Sequence, residues 1–374
     1  MLLPNSMKNL LFYFLLLLGL QSFSQDRRVY IGADLSYVNE IEDGAAHFSK
    51  AGKKTDPYAL FAKKGCNIVR LRLWHSPEFA PYSNLADVKK SIRRAKAQGM
   101  QVLLDFHYSD TWADPGRQEI PKAWAKITDL NVLGDSIYNY TFNTLIHLSK
   151  AHLLPEMVQV GNETNSEILQ PPGKAKDSIN WKRNSFLFNK GLKAVRDASK
   201  TLNIKIESLL HIAQPENALK WFEQAAKNGI TDFDVIGISY YPIWSKFKFE
   251  ELPTAINTLV NTYKKNLIVV ETAYPYTMQN IDKANNILTE KALIEGYPAT
   301  PSGQLNYLVD LTKLVINAGG NGVIYWEPAW VTSSCKTMWG EGSHWDNATF
   351  FDAANNNEAL PAFDFFNPRN YIKH

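Results

Sequence analysis

Two cysteines in 374 residues are too few for a scaffold built on disulfides, and neither sits in a metal-ligand spacing. Cys66 stands at the mouth of an apolar stretch and Cys335 in a late loop, so both are expected as free thiols. An excess of one charge is also missing. The chain holds 40 Lys and Arg against 37 Asp and Glu, a formal net charge of +3, with the basic residues scattered. That excludes the basic stripe of a nucleic-acid surface. No apolar run reaches the roughly 20 residues a membrane-spanning helix needs. No Gly-rich phosphate turn follows the first apolar stretch, where Ala33-Asp34-Leu35-Ser36 stands instead. This argues against a doubly wound, nucleotide-binding sheet. Low-complexity linkers are absent as well, so a second domain is not expected.

What is present is apolar and aromatic. Hydrophobic residues make up 45% and aromatic residues 12% of the chain, ample for one large core. Aromatic side chains beyond the needs of a core suit sugar binding, because the C–H face of a sugar packs on a π-face. At the start, Lys8 precedes an apolar run at residues 10–18 and then Ser22-Phe23-Ser24. A basic start, a short apolar run and small residues two apart read as a secretory signal over residues 1–24. Cleavage is expected near Ser24 or Gln25, leaving residues 25–374 as one domain. No cysteine follows the run, so no lipid anchor is expected. The chain reads as an exported monomer, periplasmic or released.

Apolar stretches rich in β-branched residues recur at 29–34, 68–74, 101–108, 157–163, 205–212, 233–242, 267–273 and 322–328. Helical spacing recurs between them, at 48–64, 84–99, 130–151, 181–201, 217–228, 249–264 and 304–318. Eight alternating units predict an α/β chain folded as a single (β/α)8 barrel of the TIM type. Two loops are long, 272–302 and 329–361, on the face where barrels keep their chemistry.

The fourth stretch ends in Gly161-Asn162-Glu163 and the seventh delivers Glu271. Two carboxylates at facing strand tips fit glycoside hydrolysis, which needs one protonated acid and one ionised carboxylate. Arg72 is expected to keep Glu271 ionised, and Tyr240 or Tyr241 to donate a hydrogen bond to it. Asn162 is placed to bind a sugar 2-hydroxyl. Further candidate sugar ligands are Asp34, His107, Asp110, Asp114 and His211, all in strand-end or loop positions. Trp112, Trp326 and Trp345, with Trp244 and Trp330, are candidate stacking platforms. Each has a plainer alternative. A lone glutamate or aspartate caps a helix, a lone histidine joins a structural hydrogen bond, and Trp326 fills a core.

The chain resembles the retaining (β/α)8 glycosidases in its Asn162-Glu163 pair, its Glu271 strand tip, Arg72 and Trp326. More narrowly, it resembles glycoside hydrolase family 53. The motifs that carry this are Gly32-Ala33-Asp34-Leu35-Ser36, Val69-Arg70-Leu71-Arg72-Leu73-Trp74, Asp105-Phe106-His107-Tyr108-Ser109-Asp110-Thr111-Trp112-Ala113-Asp114-Pro115 and Gln159-Val160-Gly161-Asn162-Glu163. Gly237-Ile238-Ser239-Tyr240-Tyr241-Pro242 and Val270-Glu271-Thr272-Ala273-Tyr274-Pro275 complete it. The resemblance implies an endo-β-1,4-galactanase acting on type I arabinogalactan of pectin, with Glu163 as acid/base and Glu271 as nucleophile. The rival readings are the same chemistry on mannan or glucan, and an inactive sugar-binding barrel. Some bacterial members carry calcium in the loop after the seventh strand. Here that loop offers Asp282 beside Lys283, a departure that puts calcium in doubt. No cofactor is expected.

Overall fold

The computed structural model describes residues 28–171 and 179–371. The signal segment expected at 1–24 lies outside the described residues, as does part of the loop that follows Glu163.

The eight expected strands close into one parallel barrel. In chain order they are β1 (Tyr30–Asp34), β4 (Ile68–Leu73), β5 (Gln101–Phe106), β6 (Met157–Val160), β7 (Glu207–Ala213), β8 (Val235–Ser239), β9 (Asn266–Glu271) and β10 (Gly322–Tyr325). Each pairs with the next, and β1 closes the ring by pairing with both β4 and β10. Strands buried on both faces need apolar residues on both, which explains their near-continuous Val, Ile and Leu. Tyr30, Ile68, Leu103, Met157, Leu209, Val235, Ile268, Val270 and Ile324 fill the barrel's interior as a buried cluster of their own. The inner positions beyond them toward the C-terminal tips are polar, and there the site begins.

Helices cover the outside. Leu130–Lys150 starts where Asp129 accepts from the backbone N–H of Asn131 and Val132. Trp181–Leu202 starts where Asn180 accepts from Arg183, and ends at Asn203 in the left-handed region. These two helices pack so closely that a Cβ on Gly134 would meet Phe186 Cε1 at 2.5 Å. A Cβ on Gly191 would likewise meet Val160 Cγ1 at 2.8 Å, so glycine lets this helix seat behind β6.

Residues 48–64, expected as one helix, are not one. They form a hairpin, β2 (Phe48–Lys50) and β3 (Lys53–Thr55), followed by the helix Pro57–Lys64. Ala51 and Gly52 turn the hairpin with φ of 53° and 71°, the paired positive values of a tight two-residue loop. Asp56 then caps Ala59 and Pro57 opens the helix. The hairpin pairs with Glu358–Ala359, itself paired with Phe351–Asp352, and so fixes the C-terminal segment. A short helix, Val38–Asp43, also occupies what reads as a loop after β1. Cys66 and Cys335 are free thiols.

Candidate active site

Arg70 stands at the centre of the polar layer. It is 1% exposed, and its guanidinium reaches Asp34 Oδ2 and Asp105 Oδ2 at 2.8 Å and Glu271 Oε1 at 2.9 Å. It also donates to Asn162 Oδ1 at 2.6 Å and Gln159 Oε1 at 3.1 Å. A buried cation without partners would lose its charge. Burial does oppose the charge on Arg70, but Asp105, Glu271 and Asp34 outweigh it and raise its pKa. Gln159 links onward, donating to Asp105 Oδ1 at 2.7 Å. His107 Nε2 lies 3.0 Å from Asp105 Oδ2, yet burial holds this imidazole below its usual pKa.

Two backbone irregularities aim the glutamates inward. Alternation along β9 puts Ile268 and Val270 inside, so Glu271 would face out. The register slips by one residue here: Ile238 pairs with Val269, but Ser239 pairs with Glu271. Val270 is the extra residue of a bulge, and Glu271 turns into the barrel. At the tip of β6, Gly161 has φ 85° and Glu163 has φ 43°. Positive φ is strained for a glutamate, and such strain collects where a side chain must be aimed. Glu163 Oε1 accepts from Ser239 Oγ at 2.5 Å, and Ser239 Oγ is 2.8 Å from His211 Nε2. Tyr241 donates to Glu271 Oε2 at 3.2 Å.

One oxygen of Glu163, one of Glu271 and a ring nitrogen of His211 lie within 4.8 Å of one another. Desolvation and the nearby Glu271 charge push the Glu163 carboxyl well above its usual pKa. Burial pushes Glu271 up to about 7, with Arg70 and Tyr241 pulling it down. The pair therefore holds one proton more readily than two or none, and that proton rests on Glu163, which has no cationic partner at hydrogen-bond distance among the described residues. His211 is held well below its usual pKa by burial and by Arg70, so it is neutral.

A cleft of about 510 Å³ opens above these groups. It is lined by the polar residues Asp34, Arg70, Arg72, His107, Asp114, Asn162, Glu163, Tyr241 and Glu271, and by Trp112, Trp244, Trp326, Trp330, Trp339 and Trp345. The rings of Trp326 and Trp345 meet edge to face at 4.7 Å.

Four expectations are corrected by the geometry. Arg72 does not pair with Glu271; it lies 3.4 Å from Glu327 and 4.2 Å from the centre of the Trp112 ring. Its neighbour on the same strand face, Arg70, meets Glu271 instead. Tyr240 points out of the barrel, its hydroxyl toward the Phe247 carbonyl at 3.4 Å, because only every second residue of β8 faces in. Asp110 lies outside this cleft, on the neighbouring cavity, and accepts from the Ser76 and Lys122 backbone N–H groups. His211 lies beneath the cleft and is fully buried, with both ring nitrogens hydrogen-bonded. Asp105, Gln159 and Ser239 went unsingled by sequence reasoning, although each is a polar residue at an inward strand position.

Calcium in the loop after β9 would need carboxylate oxygens that protein donors leave free. Asp282 Oδ2 accepts from Thr332 Oγ1 and the Ser343 N–H, both at 2.7 Å, and Oδ1 from the Ala284 N–H at 2.7 Å. Asp346 Oδ2 accepts from the Ile281 and Asp282 N–H groups, and Oδ1 from Asn286. Protein donors occupy the oxygens a cation would need, so this donor set does not fit calcium.

A parallel barrel with two inward glutamates, one of them held by a buried arginine, defines a (β/α)8 glycoside hydrolase. The model of Glycosyl hydrolase family 53 matches residues 30–366, and the chain belongs to that family. It is 58% identical over 338 residues to an arabinogalactan endo-β-1,4-galactanase of Cellvibrio japonicus, covering 90% of each chain. It is 36% identical to an endo-β-1,4-galactanase of Bacillus subtilis, covering 82% of this chain and 71% of that one. Among solved structures, the family 53 catalytic domain of Ignisphaera aggregans superposes with a TM-score of 0.82 at 31% identity, covering 91% and 95% of the two chains. A fungal β-1,4-galactanase superposes with a TM-score of 0.78 at 28% identity, covering 90% and 98%.

Proposed function

We propose that this protein hydrolyses β-1,4-galactosidic linkages within type I arabinogalactan, with retention at the anomeric carbon. The observation that carries the chemistry is the glutamate pair: two carboxyl oxygens within 4.8 Å, only one of them bound to an arginine among the described residues. Retaining enzymes hold their carboxyls about 5–5.5 Å apart, whereas inverting enzymes leave room for a water between them. Glu163, carrying the proton, donates it to the glycosidic oxygen as that bond breaks. Glu271, ionised against Arg70 and Tyr241, attacks the anomeric carbon and forms a glycosyl–enzyme ester. Glu163, now a carboxylate, takes a proton from a water that displaces Glu271. Asn162 keeps one Nδ2 hydrogen for a substrate hydroxyl; its other donates to the Ala113 carbonyl at 2.8 Å.

The substrate reading rests on the two galactanase relatives and the family. Pectic galactan is a polymer outside the cell, which suits the exported chain expected from residues 1–24. Among the described residues no helix is long and apolar enough to cross a membrane. The test is a product profile on β-1,4-galactan beside mannan and cellulose, repeated with Glu271→Ala. Oligosaccharides released from galactan by the parent, and none by the variant, are expected. Cleavage of mannan or cellulose with galactan untouched would overturn the substrate; turnover surviving in the variant would overturn the nucleophile.

A further inference from the structure

A second cavity, of about 310 Å³, lies beside the cleft. Tyr37, Trp74, Phe79 and Tyr82 line it, and Thr111 and Met338 lie on its border. Thr111 Oγ1 reaches Met338 Sδ at 3.3 Å, and the next residue of each loop, Trp112 and Trp339, already lines the cleft. The two cavities are thus neighbours across one contact between loops.

Glu40 lines this cavity and is 6% exposed. Among the described residues, no group donates a hydrogen bond to its carboxylate. The hydroxyl of Tyr37, itself 2% exposed, also has no partner among them and shares the same cavity. Neither group is sealed from solvent, so the polar groups of a ligand would replace water there. An acceptor and a hydroxyl left free among aromatic rings define what would complete them. The ligand needs hydroxyl donors on one edge and an apolar C–H face on the other.

Charge narrows the class further. Glu78, Asp110 and Glu119 stand around the same cavity with Lys122, which disfavours an anion. Arg72 lies 4.7 Å from the Tyr37 ring centre and 4.8 Å from that of Trp74. A cationic ligand would share those rings with a guanidinium, so their faces are not open to a second cation. Burial pushes the Glu40 carboxyl up to about 7, Arg72 opposing, so near neutrality it both accepts and donates.

We propose that the cavity over Glu40 is a further sugar-binding position, taking a hexose residue of the glycan beyond the cleft. The proposal rests on the glycanase reading above. Its test uses the full chain carrying Glu271→Gln, which prevents cutting, titrated calorimetrically with β-1,4-galacto-oligosaccharides from galactobiose to galactohexaose. Adding Glu40→Ala or Phe79→Ala is expected to weaken the longest oligosaccharide roughly tenfold and to leave galactobiose unchanged. Phe79 is 61% exposed, so its removal leaves the core intact even if Glu40→Ala fails to fold. Phe79→Ala binding every length as the parent does would overturn the proposal. If galacto-oligosaccharides fail to bind while manno- or gluco-oligosaccharides do, the substrate reading falls instead. The same variants titrated with those oligosaccharides then decide the position.

Discussion

Arg70 Nη1 lies 2.9 Å from Glu271 Oε1, and the same guanidinium holds Asp34 and Asp105. One cation thus balances three buried carboxylates and sets which glutamate of the pair keeps the proton. A lysine in its place keeps the charge but loses the planar fork. Arg70→Lys is expected to lower kcat on galactan by about 10²–10³-fold, the scale of losing one preorganised electrostatic contact. Arg70→Ala removes the charge outright and is expected to destabilise the fold by about 3–5 kcal/mol. Steady-state kinetics and urea unfolding check the two arms; a lysine variant with parental kcat would contradict the role.

The pH profile of kcat/KM should be bell-shaped, with limbs that belong to the coupled pair. Activity requires Glu271 ionised, which sets the acidic limb, and Glu163 protonated, which sets the basic one. Ser239 donates to Glu163 and pulls its pKa down, so Ser239→Ala raises that pKa and moves the basic limb to higher pH. Tyr241 donates to Glu271 and pulls its pKa down, so Tyr241→Phe raises that pKa and moves the acidic limb to higher pH. One variant widens the bell and the other narrows it. Limbs that stay fixed in both would break the assignment.

The barrel was legible because its strands are apolar on both faces and end in chemistry-bearing residues. The inward tyrosine was legible in part: Gly237, Ser239 and Tyr241 share one face of β8, and Tyr240 falls on the other. Glu271 was legible only as a carboxylate at a strand tip, since simple alternation turns it outward. The bulge at Val270 depends on pairing with β8, which no local pattern announces. Arg70 and Arg72 share a face, and the choice between them depends on depth in the barrel. The hairpin at 48–55 was hidden because its strands are three residues each, too short to show a period.

Glu163 is kept at a cost in stability. Its pKa is raised in the fold, so the native state holds a proton that the unfolded chain releases as pH rises past the ordinary carboxyl value. Stability from this group is therefore greatest at acid pH and falls through the window up to its folded pKa. Glu163→Gln keeps the shape and removes the titration. The expected result is a melting temperature higher than the parent by about 2 °C at pH 8, with the gap closing toward pH 4, and loss of activity on galactan. An equal gap at both pH values would rule out this origin.

The loop after β9 is held by carboxylates that already have protein partners. Asp282 ties Ala284, Thr332 and Ser343 together, and Asp346 ties Ile281, Asp282 and Asn286. The segment from 276 to 290 is thereby joined to the long loop after β10, which carries Trp330, Trp339 and Trp345 to the cleft. A metal-held loop would loosen on chelation, whereas this one should not. EDTA is expected to leave the melting temperature and the product pattern on galactan unchanged. Asp282→Ala frees three donors at once and is expected to cost about 2–4 kcal/mol, with a shift in product lengths as the tryptophans lose their support. A melting temperature that drops with EDTA and returns with calcium would show that a metal holds the loop after all.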